Sequence, residues 1–446
     1  MKLKTTFLLY FIFIFFQFFA QSGSNVNLLF HWEDTSLVAS TAHDNVYNEI
    51  WGVTVKGKEY AIIGTTAGTH IFDVTNPTNA YQAVFIKGAV QGSAIVHRDF
   101  HDYKGYLYIA ADEGPSTLQI ADLSYLPDSA PVVYDSNQLF SRAHNIFIDT
   151  LNAKLYQCGG DKNSGIRVFS LANPENPVEI ASVPFPETTH DIYVRNDTAF
   201  INDGSQGLFI YDFSSTPPQM IGSLTSYTNQ GYNHSGWLSD NGKVYALADE
   251  THGMKVKLVD VSNLSNISVL SVVGSEVFDQ SLPHNILLKG DYMYISYYFD
   301  GLYIYNISDP KNPVLTGYYD TSTEIPNLNY RGAWGVYPHL PSGIVLVSDM
   351  QNGLFVFDVQ DALSVKESST INTLKIYPNP FASSFHITTK EKGLLTVYSE
   401  LGQHVLSQQI KSGSSVIKID EILSTGLYFV QFHTDSQLLT TKLIKH

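Results

Sequence analysis

Residues 283–314 read PHNILLKGDYMYISYYFDGLYIYNISDPKNPV. A histidine opens an apolar run, a Gly-Asp turn follows, and a tyrosine-rich run leads to a glycine and a third run that closes on Asn-Ile-Ser. Residues 189–219, THDIYVRNDTAFINDGSQGLFIYDFSSTPPQ, repeat this order of events. Alternating apolar and polar residues between turn residues indicate short β-strands. The chain therefore repeats one unit of strands, and that unit usually begins with histidine.

The third run of each unit is the clearest marker of the repeat. It usually closes on Asp or Asn, an apolar residue and Ser or Thr, an order that favours a turn. The marker occurs seven times, as GTHIFDVT, STLQIADLS, GIRVFSLA, GLFIYDFS, MKVKLVDVS, GLYIYNIS and GLFVFDVQ. Two runs precede each marker, and in six units a fourth run follows it. Four short strands recurring at a fixed period are typical of a β-propeller blade, so we predict an all-β chain with a seven-bladed β-propeller over residues 47–360.

The seventh unit has no fourth run of its own, and the N-terminal segment contains a matching one. VNLLFHWEDTS, from Val26, parallels PVLTGYYDTS, from Pro313, down to the closing Asp-Thr-Ser. We therefore predict that residues 21–46 supply the closing strand of the last blade. A ring closed in this way leaves no unpaired strand at its last interface.

The propeller stretches resemble the choice-of-anchor B family, which is built of LVIVD-type repeats. The likeness rests on YNEIWGVTVKGKEYAIIGTTAGTHIFDVTNP, LQIADLSYLPDS, AHNIFID, ALADETHG and RGAWGVYPHLPSGIVLVSDMQNGLFVF, together with the opening stretch, and spans about residues 30 to 360. In HRDFHDY, His97 stands where the family leads us to expect an aromatic residue. The resemblance implies a secreted propeller that varied C-terminal devices attach to the cell surface. It implies no established activity.

The N-terminus has the pattern of a secretory signal peptide. Lys2 and Lys4 precede an apolar stretch from Phe7 to Phe19, and small polar residues follow Ala20. We predict a signal peptide over residues 1–20, with an uncleaved anchor as the alternative. No later stretch is apolar enough to span a bilayer, so no transmembrane segment is expected after cleavage.

Charge and cysteine content exclude two further classes. The net charge is −16 without a basic block, and phosphate binding needs clustered Lys and Arg, so nucleic acid is not an expected partner. Cys158 is the one cysteine, which excludes an intramolecular disulfide. The exported fold must therefore be held by core burial.

The C-terminal part has a different organisation. Residues 361–372, DALSVKESSTIN, are polar and are predicted to be a linker, and short strands separated by glycine turns over residues 373–446 indicate a small β-sandwich. YPNP, VYSELGQHV, LSTGLYFVQF and a terminal KLIKH resemble the type A C-terminal sorting domain of type IX secretion. The resemblance implies the secretion machinery as a partner, export to the cell surface or medium, and removal of this domain. A carbohydrate-binding or fibronectin-like sandwich is the alternative.

Five histidines form the main candidate site. His97, His144, His190, His234 and His284 each precede the first strand of a blade, and blades one and seven carry Trp51 and Trp334 nearby, in IWGV and AWGV. First strands are innermost in a propeller, so we expect the five imidazoles to share a funnel at one mouth of the channel with Asp99, Asp191, Arg331 and the two indoles. The candidate ligand-binding residues are Trp51, His97, Arg98, Asp99, His101, Asp191, Arg331 and Trp334. The candidate metal ligands are His144, His190, His234 and His284.

These residue types support more than one interpretation. Imidazole suits divalent transition metals, and neighbouring Asn145, Asp191 and Asn285 could orient the rings. A histidine repeated once per blade can instead form a hydrogen bond within its own blade, as in WD-repeat propellers. Calcium is a weaker alternative, because DKNSG at Asp161 and NDGSQG at Asn202 lack the full ligand spacing.

Tandem carboxylates occur in two turns. Asp112-Glu113 and Asp249-Glu250 follow second strands, and we interpret them as solvated turn residues, with a glycosidase pair as the alternative.

Two classes of function follow from the sequence. The first is a noncatalytic surface binding or scaffold propeller that takes an extracellular protein, glycan or small ligand at the channel mouth. The second is a metal-dependent extracellular hydrolase or lyase that acts at the histidine funnel. The chain has no G-x-S-x-G, P-loop or H-E-x-x-H motif, so no catalytic residue is identified and the first class is favoured.

Overall fold

The computed structural model describes residues 23–160, 165–185, 189–275, 277–322, 324–364, 375–389, 391–399, 402–418, 424–434 and 438–446. The chain divides into a first unit that ends at Ser364 and a second that begins at Val365. The predicted signal peptide, residues 1–20, lies outside the described residues. Among the described residues, no helix has both the length and the apolar character needed to cross a bilayer.

The described residues of the first unit form seven antiparallel sheets, the number that the marker count predicts for the blades. Blade one consists of β3 (Tyr47–Val55), β4 (Lys58–Thr65), β5 (Gly68–Asp73) and β6 (Tyr81–Lys87). Blade two consists of β7 (Arg98–Tyr103), β8 (Tyr106–Ala111), β9 (Leu118–Asp122) and β10 (Val132–Ser136). Blade three consists of β11 (Asn145–Asp149), β12 (Lys154–Cys158), β13 (Ile166–Ser170) and β14 (Val178–Val183). Blade four consists of β15 (Asp191–Arg195), β16 (Thr198–Asn202), β17 (Leu208–Asp212) and β18 (Gln219–Leu224). Blade five consists of β19 (Asn233–Leu238), β20 (Val244–Asp249), β21 (Val256–Asp260) and β22 (Ser268–Val273). Blade six consists of β23 (Pro283–Lys289), β24 (Tyr292–Tyr297), β25 (Gly301–Asn306) and β26 (Val314–Tyr319). Blade seven consists of β27 (Ala333–Tyr337), β28 (Val345–Asp349) and β29 (Gly353–Asp358), together with β2 (Asn27–Trp32). Two single-turn 3-10 helices, Pro77–Asn79 and Leu123–Tyr125, follow the third strands of blades one and two.

The first strands of the blades form the inner wall of the unit. Each contacts the first strand of the next blade, from β3 through β7, β11, β15, β19 and β23 to β27, and β27 contacts β3. Buried aliphatic and aromatic side chains fill the spaces between neighbouring sheets. A closed ring of sheets around a central channel is a β-propeller, as the repeat predicts.

The marker sequences form the third strands, and their last residues make the turns. The side-chain oxygen of the closing Asp or Asn accepts a hydrogen bond from the backbone N–H two residues later, at 2.8–3.0 Å in six blades. This Asx turn explains why Asp or Asn closes most of the markers. The opening glycine is also required: Gly301 has φ +87°, and a Cβ there would lie 2.2 Å from the carbonyl oxygen of Tyr319.

The N-terminal segment completes blade seven. β2 pairs antiparallel with β29, with Leu28 opposite Phe357 and Trp32 opposite Leu354. The structure adds a pairing that we did not predict: β1 (Gly23–Ser24) pairs with β26 as a fifth strand of blade six. Residues 23–32 therefore pair with both of the last two blades.

The predicted linker needs a correction at its start. Residues 361–364 belong to the first unit, where α1 (Gln360–Leu363) contacts β26. Ala362 is buried, and the hydroxyl of Tyr292 donates a hydrogen bond to the carbonyl of Leu363 at 2.7 Å. The polar composition of the segment gave no indication of this short helix, because a single small buried residue, Ala362, is enough to pack it against the propeller. The rest of the predicted linker, residues 365–372, lies outside the described residues.

The described residues of the second unit form two antiparallel sheets. One contains β30 (Lys375–Tyr377), β31 (Ser384–Thr389) and β34 (Gly413–Lys418), and the other β33 (His404–Ile410), β32 (Gly393–Ser399), β35 (Gly426–His433) and β36 (Leu438–Lys445). Phe385 and Ile417 from the first sheet and Val397 and Phe432 from the second share one buried core. Two sheets packed on a common core make a β-sandwich.

Candidate functional site

Five imidazoles and one indole form a closed ring around the channel, which we call the upper ring. Its members, in order, are His97, His144, His190, His234, His284 and Trp334. Neighbouring ring centroids are 3.9–5.6 Å apart, including the closing contact from Trp334 back to His97. The repeated histidines belong to five different blades, but their side chains converge on one place at the channel.

The inner strands bring these rings together by a common local arrangement. His144 stands directly before Asn145, and Asn145 points into the channel; His190, His234 and His284 stand in the same relation to inward residues of their own blades. In blade seven Trp334 takes this position. In blade one Asn48 takes it, and its amide donates to the carbonyl of Val96 at 3.1 Å, so this blade adds no ring.

Blade two departs from this arrangement by one residue. The inward residue is Asp99, so the residue directly before it is Arg98 and not His97. His97 nevertheless reaches the upper ring and stacks on His144 with an interplanar angle of 24°. The Arg98 side chain is buried elsewhere, where it donates to the carbonyls of Thr65 at 2.8 Å and Val90 at 2.6 Å. His97 therefore stands one residue earlier than the other four histidines relative to the inward residue of its blade, although its ring lies in the upper ring as we expected.

Hydrogen bonds set the orientation of three imidazoles. His190 Nδ1 lies 3.1 Å from the carbonyl oxygen of His234, and His284 Nδ1 lies 2.7 Å from that of Trp334. A carbonyl only accepts, so each Nδ1 carries the proton and each Nε2 presents a lone pair. His144 Nδ1 lies 2.8 Å from Asp112 Oδ2, a carboxylate contact of the kind that orients metal-binding histidines.

Burial decides the charge of most of the ring. It holds the pKa values of His97, His190 and His234 well below 6.5 and lowers that of His284 to about 3. These four imidazoles are neutral at physiological pH, which is the form that binds metal. Burial also acts to lower the pKa of His144, but the hydrogen bond and charge of Asp112 outweigh it and raise that pKa.

A cavity of about 300 Å³, which we call the funnel, lies over the upper ring. Its wall also contains His43, Val96, Asp112, Glu113, Glu250, Tyr298 and Tyr330. One possible metal-binding set is His144, His190 and His234, whose ligand atoms all lie within 4.8 Å of one another. A second set, His234, Glu250 and His284, meets the same limit.

Three polar groups of the funnel were not predicted from the sequence. Asp112, Glu250 and Tyr298 are each the first residue after the second strand of their blade, in blades two, five and six. The two carboxylates were expected to be solvated turn residues, but burial raises the pKa of Glu250 to about 7, and the Tyr298 hydroxyl donates to it at 2.5 Å. Their shared offset from the second strand was the signal available in the sequence.

Asp112 and Glu113 both line the funnel, whereas the pair Asp249-Glu250 is divided. Asp249 faces away from the funnel, where it forms a fully buried ion pair with Lys257 and accepts a hydrogen bond from Tyr227 at 2.7 Å. The two candidate calcium loops stay a prediction. Asn202 is buried in β16 and its amide donates to the Tyr245 hydroxyl at 3.1 Å, whereas the Asp161 loop lies outside those residues.

Below the upper ring the channel contains a second, smaller cavity of about 60 Å³. Its polar wall consists of Glu49, Asp99, Asn145, Asp191, Ser235 and Asn285. Burial raises the pKa values of Glu49 and Asp191 to about 7 and that of Asp99 well above its usual range. Asp99 and Asp191 were predicted to share the funnel, and the structure places them in this channel cavity instead.

A second closed ring, the lower ring, surrounds the far end of the channel cavity. Its members are Trp51, His101, Phe147, Tyr193, Trp237, His339 and Tyr337, with neighbouring centroids 4.6–5.6 Å apart. Trp51 therefore lies outside the funnel, contrary to the prediction, and His101, a candidate ligand-binding residue, lies beside it in the lower ring. Trp51 and Trp334 share the tripeptide Trp-Gly-Val but occupy different layers of the channel.

Arg331 also lies outside the funnel wall. Its guanidinium bonds to Glu324 at 2.5–3.0 Å and to Asp44 at 3.0 Å. Two acidic side chains at the surface thus pair with the Arg331 guanidinium, which we had expected to face a ligand.

Two family models match parts of the chain. The secretion system C-terminal sorting domain matches residues 375–446, and the LVIVD repeat matches residues 284–321. Both matches confirm the corresponding resemblances, and the sorting domain marks proteins that type IX secretion exports to the cell surface or extracellular space. The chain is thus an exported β-propeller with a sorting tail. Its resemblance to the choice-of-anchor B family stays a prediction.

Solved structures show the same fold at low sequence identity. U3-55K is 10% identical with a TM-score of 0.52, covering 74% of this chain and 98% of its own. The β-propeller domain of Cps50 (Swd1) from Myceliophteria thermophila is 12% identical with a TM-score of 0.53, covering 74% and 99%. The WD40 β-propeller domain of Doa1 is 12% identical with a TM-score of 0.50, covering 77% and 98%. No curated protein matches the chain. These similarities concern the fold alone.

Proposed function

We propose that this exported propeller is a noncatalytic binding module whose upper ring holds a divalent transition metal ion. The observation that carries the proposal is the closed ring of imidazoles, in which three adjacent members place ligand atoms within 4.8 Å of one another. An extracellular protein, glycan or small ligand would then contact the metal from the funnel. The secretion machinery is the partner of residues 373–446, and removal of that domain after export is part of the proposal.

The first ligand set is His144, His190 and His234. Three nitrogen donors suit zinc, copper or nickel, and they leave a coordination position for water or a ligand. Asp112 holds His144 by its Nδ1, and the carbonyl of His234 holds His190 in the same way. Ligands held in place before binding lose little conformational freedom when the metal arrives, which favours affinity.

Unpaired nitrogen atoms also support a ligand at this ring. Among the described residues, Nδ1 of His97 and Nδ1 of His234 are buried without a hydrogen-bond partner. A buried polar atom without a partner costs about 1–3 kcal/mol, so a ring that served only to stabilise the blades would be expected to pair them. A metal ion supplies the missing partner to His234.

The test is elemental analysis and calorimetry with zinc on the purified protein and on two double variants. The variant His190→Ala, His234→Ala should lose stoichiometric zinc binding. The control His43→Ala, His252→Ala removes two imidazoles near the funnel mouth, leaves the upper ring intact, and should bind as the parent does. If the parent protein binds no transition metal at micromolar concentration, the histidines are structural and the proposal fails. Stoichiometric binding retained in the first variant would place the metal elsewhere.

A metal-dependent extracellular hydrolase or lyase is the second candidate. One observation favours it: the open side of the metal-binding set faces a cavity of about 300 Å³, enough room for a small substrate beside a metal-bound water. The zinc-loaded protein should then hydrolyse p-nitrophenyl acetate faster than the His190→Ala, His234→Ala variant. Equal rates would leave the noncatalytic binding module.

A further inference from the structure

The two ligand sets of the funnel share one residue. His144, His190 and His234 form the first set, and His234, Glu250 and His284 form the second. The sets are adjacent on the upper ring, and each has three members with ligand atoms within 4.8 Å. His234 can serve both sets only if its two nitrogen atoms are both available.

His234 differs from its ring neighbours in this respect. The Nδ1 atoms of His144, His190 and His284 are each held by an oxygen atom at 2.7–3.1 Å, which leaves only Nε2 for a metal. Nδ1 of His234 has no hydrogen-bond partner among the described residues, although its side chain is only 5% exposed. Its Nε2 faces Glu250 Oε2 at 3.7 Å, which is beyond hydrogen-bond distance. Both nitrogens of this buried imidazole therefore lack a close partner.

The other two members of the second set are oriented for binding. The carbonyl of Trp334 holds the Nδ1 proton of His284, so His284 Nε2 presents its lone pair. The Tyr298 hydroxyl donates to Glu250 Oε1 and leaves Oε2 on the side of His234. Hydrogen bonds of this kind fix the orientation of metal-binding side chains and are typical of metal sites in proteins.

Negative charge near the ring would balance a second cation. Glu250 is itself a ligand of the second set, and Asp112 contacts the first set through His144. Glu49, Asp99 and Asp191 line the channel cavity directly below the upper ring. Burial disfavours the ionised form of these three carboxyl groups, and divalent ions above them would favour it and be balanced by the charge that results.

We propose that the funnel binds two adjacent transition metal ions bridged by the imidazole of His234. One ion is held by His144, His190 and Nδ1 of His234, and the other by Nε2 of His234, Glu250 and His284. Forming the bridge releases the single N–H proton of His234 to solvent, and both ions keep their +2 charge, so no electron is transferred. This inference rests on the proposed function and extends it from one metal ion to two.

The experiment uses copper(II), which binds imidazole strongly and is paramagnetic. Elemental analysis and calorimetry of the purified protein should give two copper ions per chain. Electron paramagnetic resonance at saturation should show the two ions magnetically coupled through the shared ring. The isosteric variant Glu250→Gln should hold one copper ion with an uncoupled spectrum. The control Glu324→Gln changes the same chemical group outside the funnel and should keep two coupled ions.

The outcomes separate this inference from the proposed function. One copper ion in the parent protein, or two without magnetic coupling, would overturn the bridge and leave a single-metal binding module. No bound copper would overturn both. Two coupled ions that persist in the Glu250→Gln variant would refute the assignment of the second ligand set. Circular dichroism of each variant establishes that a lost ion does not reflect a lost fold.

Discussion

The closing strand of the ring offers the sharpest test of the architecture, through the substitution Trp32→Ala. Trp32 lies on β2, which belongs to blade seven, but its indole packs on three rings of blade one. The centroid distances are 5.6 Å to Tyr47, 4.9 Å to His70 and 4.7 Å to Phe72. The backbone N–H of Asp34, two residues later, donates to the Tyr47 hydroxyl at 2.5 Å. One side chain therefore connects the last blade to the first.

The size of the effect follows from burial. Replacing a fully buried Trp by Ala costs about 3–5 kcal/mol, through lost apolar contact and the cavity that remains. Trp32 is half-buried, so we expect a loss of about 2–3 kcal/mol in the free energy of unfolding. Leu28 lies on the same strand and is 40% exposed, so Leu28→Ala should cost less than about 1 kcal/mol. The pair of variants separates packing against blade one from a general effect on the strand.

Scanning calorimetry measures the melting temperature of the propeller, and urea denaturation followed by circular dichroism measures the free energy. For a unit of this size, 2–3 kcal/mol corresponds to a decrease of about 5 °C for Trp32→Ala. Deletion of Asn25–Asp34 should lower the melting temperature further, because it also exposes the edge of β29. If Trp32→Ala is no more destabilising than Leu28→Ala, the ring is not sealed by this strand.

Three further predictions concern the site, the core and export. Because the hydrogen bond and charge of Asp112 raise the pKa of His144 above 6.5 despite its burial, a metal must displace a proton there. The calorimetric affinity for the metal ion should therefore rise with pH through the range above 6.5, and Asp112→Asn should move that rise to lower pH. An identical dependence of affinity on pH in the variant would contradict the role of Asp112 in raising the pKa of His144. Lys257→Met should cost about 3–5 kcal/mol in urea denaturation because it leaves Asp249 buried without its cation, whereas Lys257→Met combined with Asp249→Leu should recover most of that loss; equal losses would show that the ion pair is not the cause. Deletion of residues 374–446 should leave the propeller in the periplasm, as measured by cell fractionation, and surface display of the truncated protein would refute the role of the sorting domain.

The repeat could be predicted from sequence because its signals are local. Alternation with period two, an opening glycine and a closing Asp or Asn each depend on a few neighbouring residues. Gly301 and the Asx turn at Asn306 show that these residues take the expected structural roles in the folded chain. The strand after Val26 was recognised in the same way, by its likeness to the fourth strand of blade six. The sorting domain was recognised from motifs that lie within single strands and turns.

The layers of the channel could not be predicted in this way. Trp51 and Trp334 begin the same tripeptide, yet one lies in the lower ring and the other in the upper ring. The tripeptides stand at different places along their strands: Trp334 occupies the upper-ring position of blade seven, whereas Asn48 occupies it in blade one and Trp51 follows three residues later in β3. Because side chains alternate between the two faces of a strand, a shift of one residue changes what each side chain contacts. His97 illustrates the same effect in blade two.

The repeat, its closing strand and the sorting domain can be recognised from the order of residues in the chain. Which side chains meet depends on how the ring of blades closes. Asp112, Glu250 and Tyr298 follow second strands of different blades and look like ordinary turn residues in their own segments. They share a cavity with the histidines because closing the ring turns equivalent ends of every blade toward one axis. That convergence brings together residues that are far apart in the chain, and a local pattern of apolar and polar residues does not predict it.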